Sequence, residues 1–262
     1  MKALSLWLIA ALGATSSGLA AEPTPTKFNV DGIEREALVF IPSTSSKSKP
    51  PVIFAFHGHG GNMYFAARGM AFQNFWPEAI VVYPQGLPTP GIIMDREGKK
   101  PGWQRELGQE SDRDLKFVDA MLAPLREKYS IDESRIYATG FSNGGLFTYL
   151  LLSQRPSLFA AFAPGGAALL PSVSLTQARP VFHYGGRNDR LARFDKQEAT
   201  MEKIRQFNGC ATQGNACGEN CTVYDSTKGA PVTTFIHPFG HLYPPQVTPL
   251  IVKFFQDHPR TR

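Results

Sequence analysis

The stretch Gly140-Phe141-Ser142-Asn143-Gly144 reads G-x-S-x-G, and its flanks decide what that means. Before it, Arg135-Ile136-Tyr137-Ala138-Thr139 alternates and is rich in β-formers, which predicts a strand. After it, residues 145–154, with Leu146, Phe147, Tyr149, Leu150 and Leu151, predict a buried helix. Ser142 therefore falls on a tight strand-to-helix turn, the setting in which this pattern carries a nucleophile. Glycines at 140 and 144 remove side chains that would clash in so sharp a turn. The following helix aims free N–H groups and its positive dipole end at the serine. A glycine-rich turn without chemistry would share the same five letters, so partners elsewhere must decide.

Working outward, the chain alternates strands with helices. Val52-Ile53-Phe54-Ala55-Phe56 and Ala79-Ile80-Val81-Val82-Tyr83 are continuous apolar runs, as expected of strands buried on both faces of a parallel sheet. Residues 158–163, 180–184, 222–224 and 232–236 predict further strands, and 28–30 with 35–41 a hairpin around Asp31-Gly32. Helices are expected at 63–75, at 196–208, at 249–255, and after Ser111, where Ser111-x-x-Asp114 resembles a capping box. This alternation predicts an α/β fold: one domain over residues 28–262, a mostly parallel sheet with helices on both faces. Residues 84–110 hold five glycines and four prolines and read as a long irregular segment that lines a site.

In such sheets, sites gather at the C-terminal strand ends. Ser142, Asp189 and His241 each follow a predicted strand, in the chain order used by α/β-hydrolases. Ser142 is the expected nucleophile, His241 its base, and Asp189 the group that orients the imidazole. His237, His57, His59 and His183 also lie at strand ends, and Asp195 and Asp225 compete for the acid. His241 follows a glycine in a turn, and Asp189 sits in a glycine-rich loop directly after a buried strand. Asp195 reads as a helix cap, and Asp225 lies in the wrong order. In His57-Gly58-His59-Gly60-Gly61 the glycines let backbone N–H groups approach a carbonyl, so the oxyanion donors are expected from the backbones of His59 and Asn143. No Gly-Lys-Ser/Thr follows to make a phosphate loop, and no carboxylate cluster accompanies the two histidines as a metal site would. Neither a metal nor a cofactor is expected.

The 262 residues are 42% hydrophobic and 19% charged, an ordinary globular composition. Met1-Lys2, an apolar run over residues 3–12, and small residues up to Ala20 predict a secretory signal peptide over residues 1–20, cleaved near Ala20. The run is too short to span a bilayer, so no membrane association is expected after cleavage, and the product is secreted or periplasmic. Residues 21–27 read as a flexible Pro/Thr-rich leader. The remaining +4 charge is scattered, without the stripe that nucleic acid would require. Export makes a disulfide plausible among Cys210, Cys217 and Cys221; three pairings are open, and Cys210–Cys221 is favoured.

His57-Gly58-His59-Gly60-Gly61, Tyr83-Pro84-Gln85-Gly86, Trp103, Gly140 to Gly145, the loop ending at Asp189 and Gly240-His241-x-Tyr243-Pro244 occur in this order. Together they resemble the secreted α/β-hydrolases grouped as polyhydroxybutyrate depolymerase-like and feruloyl esterase-like enzymes, over roughly residues 28–257. The resemblance implies a triad of Ser142, Asp189 and His241. Many relatives carry tryptophan where this chain has Tyr243, and a His-Gly pair where it has His183-Tyr184. Both departures lie beside the expected pocket. The reading is a secreted serine ester hydrolase working through an acyl-enzyme on a small or oligomeric ester. Trp103 and Tyr243 are expected to line the pocket, favouring aryl or hydroxycinnamoyl esters, with hydroxyalkanoate oligomers as the rival. A small secreted serine peptidase and a non-catalytic binding protein are the alternatives.

Overall fold

The computed structural model describes residues 23–43 and 49–260. The expected signal peptide, and the start of the expected leader, lie outside the described residues. The elements are β1 (Thr24–Val30), β2 (Ile33–Phe40), β3 (Val52–Phe56), α1 (Met63–Met70), α2 (Phe72–Phe75), β4 (Ile80–Pro84), β5 (Leu87–Pro88), β6 (Pro101–Gly102), α3 (Arg113–Tyr129), β7 (Ile136–Phe141), α4 (Asn143–Gln154), β8 (Ala161–Gly165), β9 (Val181–Gly186), α5 (Phe194–Phe207), β10 (Asn215–Gly218), β11 (Cys221–Tyr224), β12 (Val232–His237) and α6 (Val247–Asp257).

Among the described residues ten strands form one sheet, ordered β1-β2-β4-β3-β7-β8-β9-β12-β11-β10. The six central strands, β4 to β12, run parallel, and an antiparallel pair closes each side. Residues of β3 show why apolar runs suit this position. Val52, Phe54 and Phe56 enter one core with α3 and α4, while Ile53 and Ala55 enter the other with α1, α2 and α6. The period of two along a strand feeds both layers, so every position of β3 is apolar and buried. This is a three-layer α/β/α fold.

Local details depart from the expected pattern for identifiable reasons. The expected helix over 63–75 breaks at Ala71, which is left-handed at φ 50°. Ser111 caps nothing: Glu110, Ser111 and Asp112 all have positive φ, and α3 starts at Arg113. Asp114 goes instead to a buried ion pair with Arg35 at 2.8 Å, where it also accepts the Gln104 N–H. A buried pair of this kind contributes little net stability, yet it fixes where the chain runs. Thr24 to Lys27, expected in the flexible leader, pair with β2, so the edge hairpin is longer than its β-forming core. The disulfide joins Cys217 and Cys221, not Cys210 and Cys221, and Cys210 is free. The β10–β11 hairpin places Gly218 opposite Cys221, bringing its two cysteines together, whereas Cys210 bridges to Ser226 through its backbone.

Candidate active site

Ser142 follows β7 at φ 59°, ψ −119°, a backbone region that costs roughly 1–3 kcal/mol for a residue with a side chain. Its neighbours make the turn possible. A Cβ on Gly140 would lie 2.4 Å from the Gly144 carbonyl oxygen, and one on Gly144 would lie 2.3 Å from that of Phe56. The turn is thus pressed against the end of β3, with Gly58 next to Ser142.

The loops after β9 and β12 bring two side chains to this serine. His241 Nε2 lies 2.9 Å from Ser142 Oγ, and its Nδ1 lies 2.7 Å from Asp189 Oδ2. The only arrangement of protons that satisfies both contacts in the neutral ring has Nδ1–H donating to the carboxylate and the serine hydroxyl donating to Nε2. Asp189 Oδ1 accepts the N–H groups of Leu191 and Ala192 at 2.9 and 2.8 Å. The ring of Phe141 packs on His241, with centroids 4.8 Å apart, and limits its tilt. The three residues expected from chain order therefore meet. Their competitors do not. His237 is fully buried, and its Nδ1 accepts from the Phe239 N–H. Asp195 pairs with Arg193, and Asp225 lies beside Asn215 on the far hairpin.

The turn after β3 is held by its own histidines. His57 Nδ1 donates to Gly58 O at 2.7 Å, and Nε2 accepts the Gly86 N–H at 3.0 Å. Burial lowers the His57 pKa to about 4, so the ring is neutral, as these two bonds require. His59 bonds Asp95 through Nε2 at 2.9 Å. Gly60 and Gly61 donate to Pro101 and Gly58, whereas the N–H groups of Gly58 and His59 have no acceptor among the described residues. Asn143 opens α4, so its N–H has no intrahelical partner either. The site thus has free backbone donors beside Ser142.

Of the two residues expected at the pocket, Trp103 departs from expectation, whereas Tyr243 is half-buried beside Phe141. Trp103 is fully buried: its ring stacks on Phe147, meets Phe56 edge-on and donates Nε1–H to the His57 carbonyl. It offers no surface to a substrate. The Asn143 side chain grips its backbone, accepting the Trp103 N–H at 2.7 Å and donating to its carbonyl at 3.1 Å. Tyr243 buttresses Phe141 and Tyr184 edge-on. Thr248 uses its hydroxyl proton on Met70 O, so Tyr243 donates inward to Thr248 Oγ1 at 2.7 Å. Apolar surface lies elsewhere, at the tip Ile92-Ile93-Met94, each side chain of which is half exposed or more. That tip is flanked by Gly91, whose Cβ position is 3.2 Å from His59 Nε2, and by Asp95, bonded to the same atom. A polar hollow of about 680 Å³, lined by Lys49, Asp132, Arg179 and Arg260 among others, opens near the start of β7, away from Ser142.

Comparison with known proteins bears on the fold and the class of reaction. A profile of the prolyl oligopeptidase family matches residues 102–184. An acetyl xylan esterase from Aspergillus awamori shares the fold, with a TM-score of 0.63 at 15% identity over 85% of this chain and 94% of that one. The protein is an α/β-hydrolase and a serine carboxylic ester hydrolase. A bifunctional acetylxylan esterase/xylanase of Neocallimastix patriciarum is 27% identical over 70% of this chain, which spans only 26% of that protein. Feruloyl esterase C of Emericella nidulans is 30% identical over 87% of this chain and 84% of its own length. The chain belongs to this feruloyl esterase family.

Proposed function

We propose that this esterase works through an acyl-enzyme on Ser142 and prefers hydroxycinnamoyl, feruloyl-type esters. The observation that carries the mechanism is the unbroken line Ser142 Oγ–His241 Nε2 and His241 Nδ1–Asp189 Oδ2. Ser142 Oγ attacks the ester carbonyl while its proton passes to His241 Nε2. Asp189 stabilises the resulting imidazolium. The carbonyl oxygen becomes an oxyanion facing the N–H groups of Asn143 and His59. The C–O bond to the leaving group breaks, and the alcohol takes the proton from His241. Water then repeats the sequence on the acyl-enzyme and releases the acid and the free serine.

The substrate class draws support from two sides. Relatives are named feruloyl esterases, and the apolar tip Ile92-Ile93-Met94 stands beside the oxyanion turn, where a flat aromatic acyl group gains contact area. We also place an export signal at residues 1–20, leaving a catalytic domain over 28–262.

Purified mature protein tested on methyl ferulate, a nitrophenyl acetate, hydroxybutyrate oligomers and a peptide anilide decides the class. The expected order puts the hydroxycinnamate ester first and the anilide last, with Ser142→Ala inactive on all four. Ile93→Ser should lower kcat/KM on methyl ferulate more than on the acetate, by about 1–3 kcal/mol of transition-state binding. A preference for the oligomers would move the substrate and keep the mechanism; an active Ser142→Ala would remove the mechanism.

A further inference from the structure

Behind Asp189 lies a buried chain of side chains that touches neither the serine nor the mouth of the site. Gln197, on α5, donates Nε2–H to Asp189 Oδ2 at 3.2 Å and to Ala192 O at 2.6 Å. Its Oε1 lies 3.1 Å from His183 Nε2, and His183 Nδ1 lies 2.6 Å from the Tyr149 hydroxyl. Gln197 and His183 are fully buried, and Tyr149 nearly so.

The direction of every bond in this chain is determined. Asp189 Oδ2 and Ala192 O are both acceptors, so the Gln197 amide nitrogen must face them, and a flipped amide would set oxygen against oxygen twice. Oε1 then faces His183, whose Nε2 must carry the proton. Nδ1 is left as an acceptor, so the Tyr149 hydroxyl donates to it. Burial lowers the His183 pKa to about 4, which keeps the ring in this neutral form at neutral pH. The sequence also makes room for the amide: a Cβ on Gly185 would stand 2.3 Å from Gln197 Oε1. Asp189 thereby accepts four N–H bonds, two on each oxygen, which fills its capacity.

Tyr149 stands on α4, the helix that begins at the nucleophile turn. The network therefore closes a ring: from Ser142 along α4 to Tyr149, across His183 and Gln197 to Asp189, and through His241 back to Ser142.

The structure assigns Gln197 as the positioning residue for the Asp189 carboxylate, with its own amide oriented by His183 and Tyr149. Gln197 holds Oδ2 where His241 Nδ1 meets it, and it shares the carboxylate charge with the imidazole. The inference rests on Asp189 acting as the acid of the proposed mechanism.

The test uses the purified protein on a nitrophenyl acetate. Gln197→Met keeps the volume and removes the donor. Its kcat should fall about tenfold to a hundredfold, the cost of a misplacement approaching 1 Å, with KM within about twofold. Losing one donor leaves Asp189 more negative toward His241, so the acid limb of the kcat/KM profile should move to higher pH. A residue that only fills space would lower activity without moving that limb. His237 and His183 also face this pair, and burial lowers both of their pKa values, so the limb reports His241. Tyr149→Phe, which removes one oxygen, should move kcat and the limb in the same directions by less. It decides the matter if Gln197→Met does not fold. Wild-type kcat with an unmoved limb in the folded variant overturns the inference. Asp189→Asn separates the premise: if that variant keeps wild-type turnover, the mechanism itself fails, and this inference with it.

Discussion

Two turns carry histidines to the same end of the sheet, and they use them in opposite ways. After β3, both nitrogens of His57 are spent on backbone groups, and His59 is spent on Asp95. After β12, His241 hydrogen-bonds, among the described residues, to a carboxylate and a hydroxyl alone. Residue type and strand-end position are the same in the two turns. What differs is the partner set. An imidazole whose two nitrogens are tied to fixed backbone groups is a bracket, because neither proton state can change without breaking the turn. An imidazole between an acceptor and a transferable proton can carry a reaction.

The comparison breaks first at His241. His241→Ala should abolish ester turnover, by on the order of a millionfold in kcat, as losing the serine does. His237→Ala, at the same strand end but without a bond to Ser142, should stay within about tenfold of wild type by the same assay. Equal losses would put the chemistry on both rings. The bracket is tested next. His57→Phe keeps a ring in place but frees Gly58 and Gly86, so the proposed oxyanion donors lose their fixed aim. A loss of about a hundredfold in kcat is expected, the usual cost of a spoiled oxyanion donor. Wild-type kcat would show that the turn holds its shape without the histidine.

The smallest effect is on stability. His57 and His183 both have a pKa of about 4 in the folded chain, against about 6.5 unfolded. Above pH 6.5 neither state binds the proton and stability does not change. As pH falls from 6.5 toward 4, the unfolded chain binds protons that the folded chain refuses, so stability is lost. By pH 5 the loss is about 2 kcal/mol for each ring. Urea midpoints at pH 7, 6 and 5 measure it, and His183→Gln should flatten the slope. A flat midpoint across that range would mean that the folded rings accept protons.

Much of the site was legible because its logic is local. The tight serine turn needs glycines at 140 and 144, and strand ends fix the order of Ser142, Asp189 and His241. Trp103 departs from expectation because nothing in a Gly/Pro-rich segment says whether an aromatic faces in or out. Here the free Nε1–H found the His57 carbonyl and the ring found Phe147. The cysteine pairing depended on a hairpin, β10–β11, of which only the second strand had a β-forming sequence. Gln197 leaves a trace in the sequence: 197, 200, 201 and 204 form the buried stripe of α5, and an amide on such a stripe needs a reason to be there.

The segment between β4 and α3 is pinned at two posts. Gly86 is held by His57, and Trp103 by the side chain of the residue next to the nucleophile. Between those posts Asp95 is also tied to His59, and Pro101 accepts the Gly60 N–H, which leaves the apolar tip at 92–94 as the part free to change. Doubling the length of such a loop costs only about 0.6 kcal/mol of closure entropy. Its length and lettering can therefore drift while both attachment points stay seated. A fold of this kind can change what stands beside the site by rewriting 92–94 alone, and a graft from a relative should keep Asp95 and Pro101 as well as the two posts.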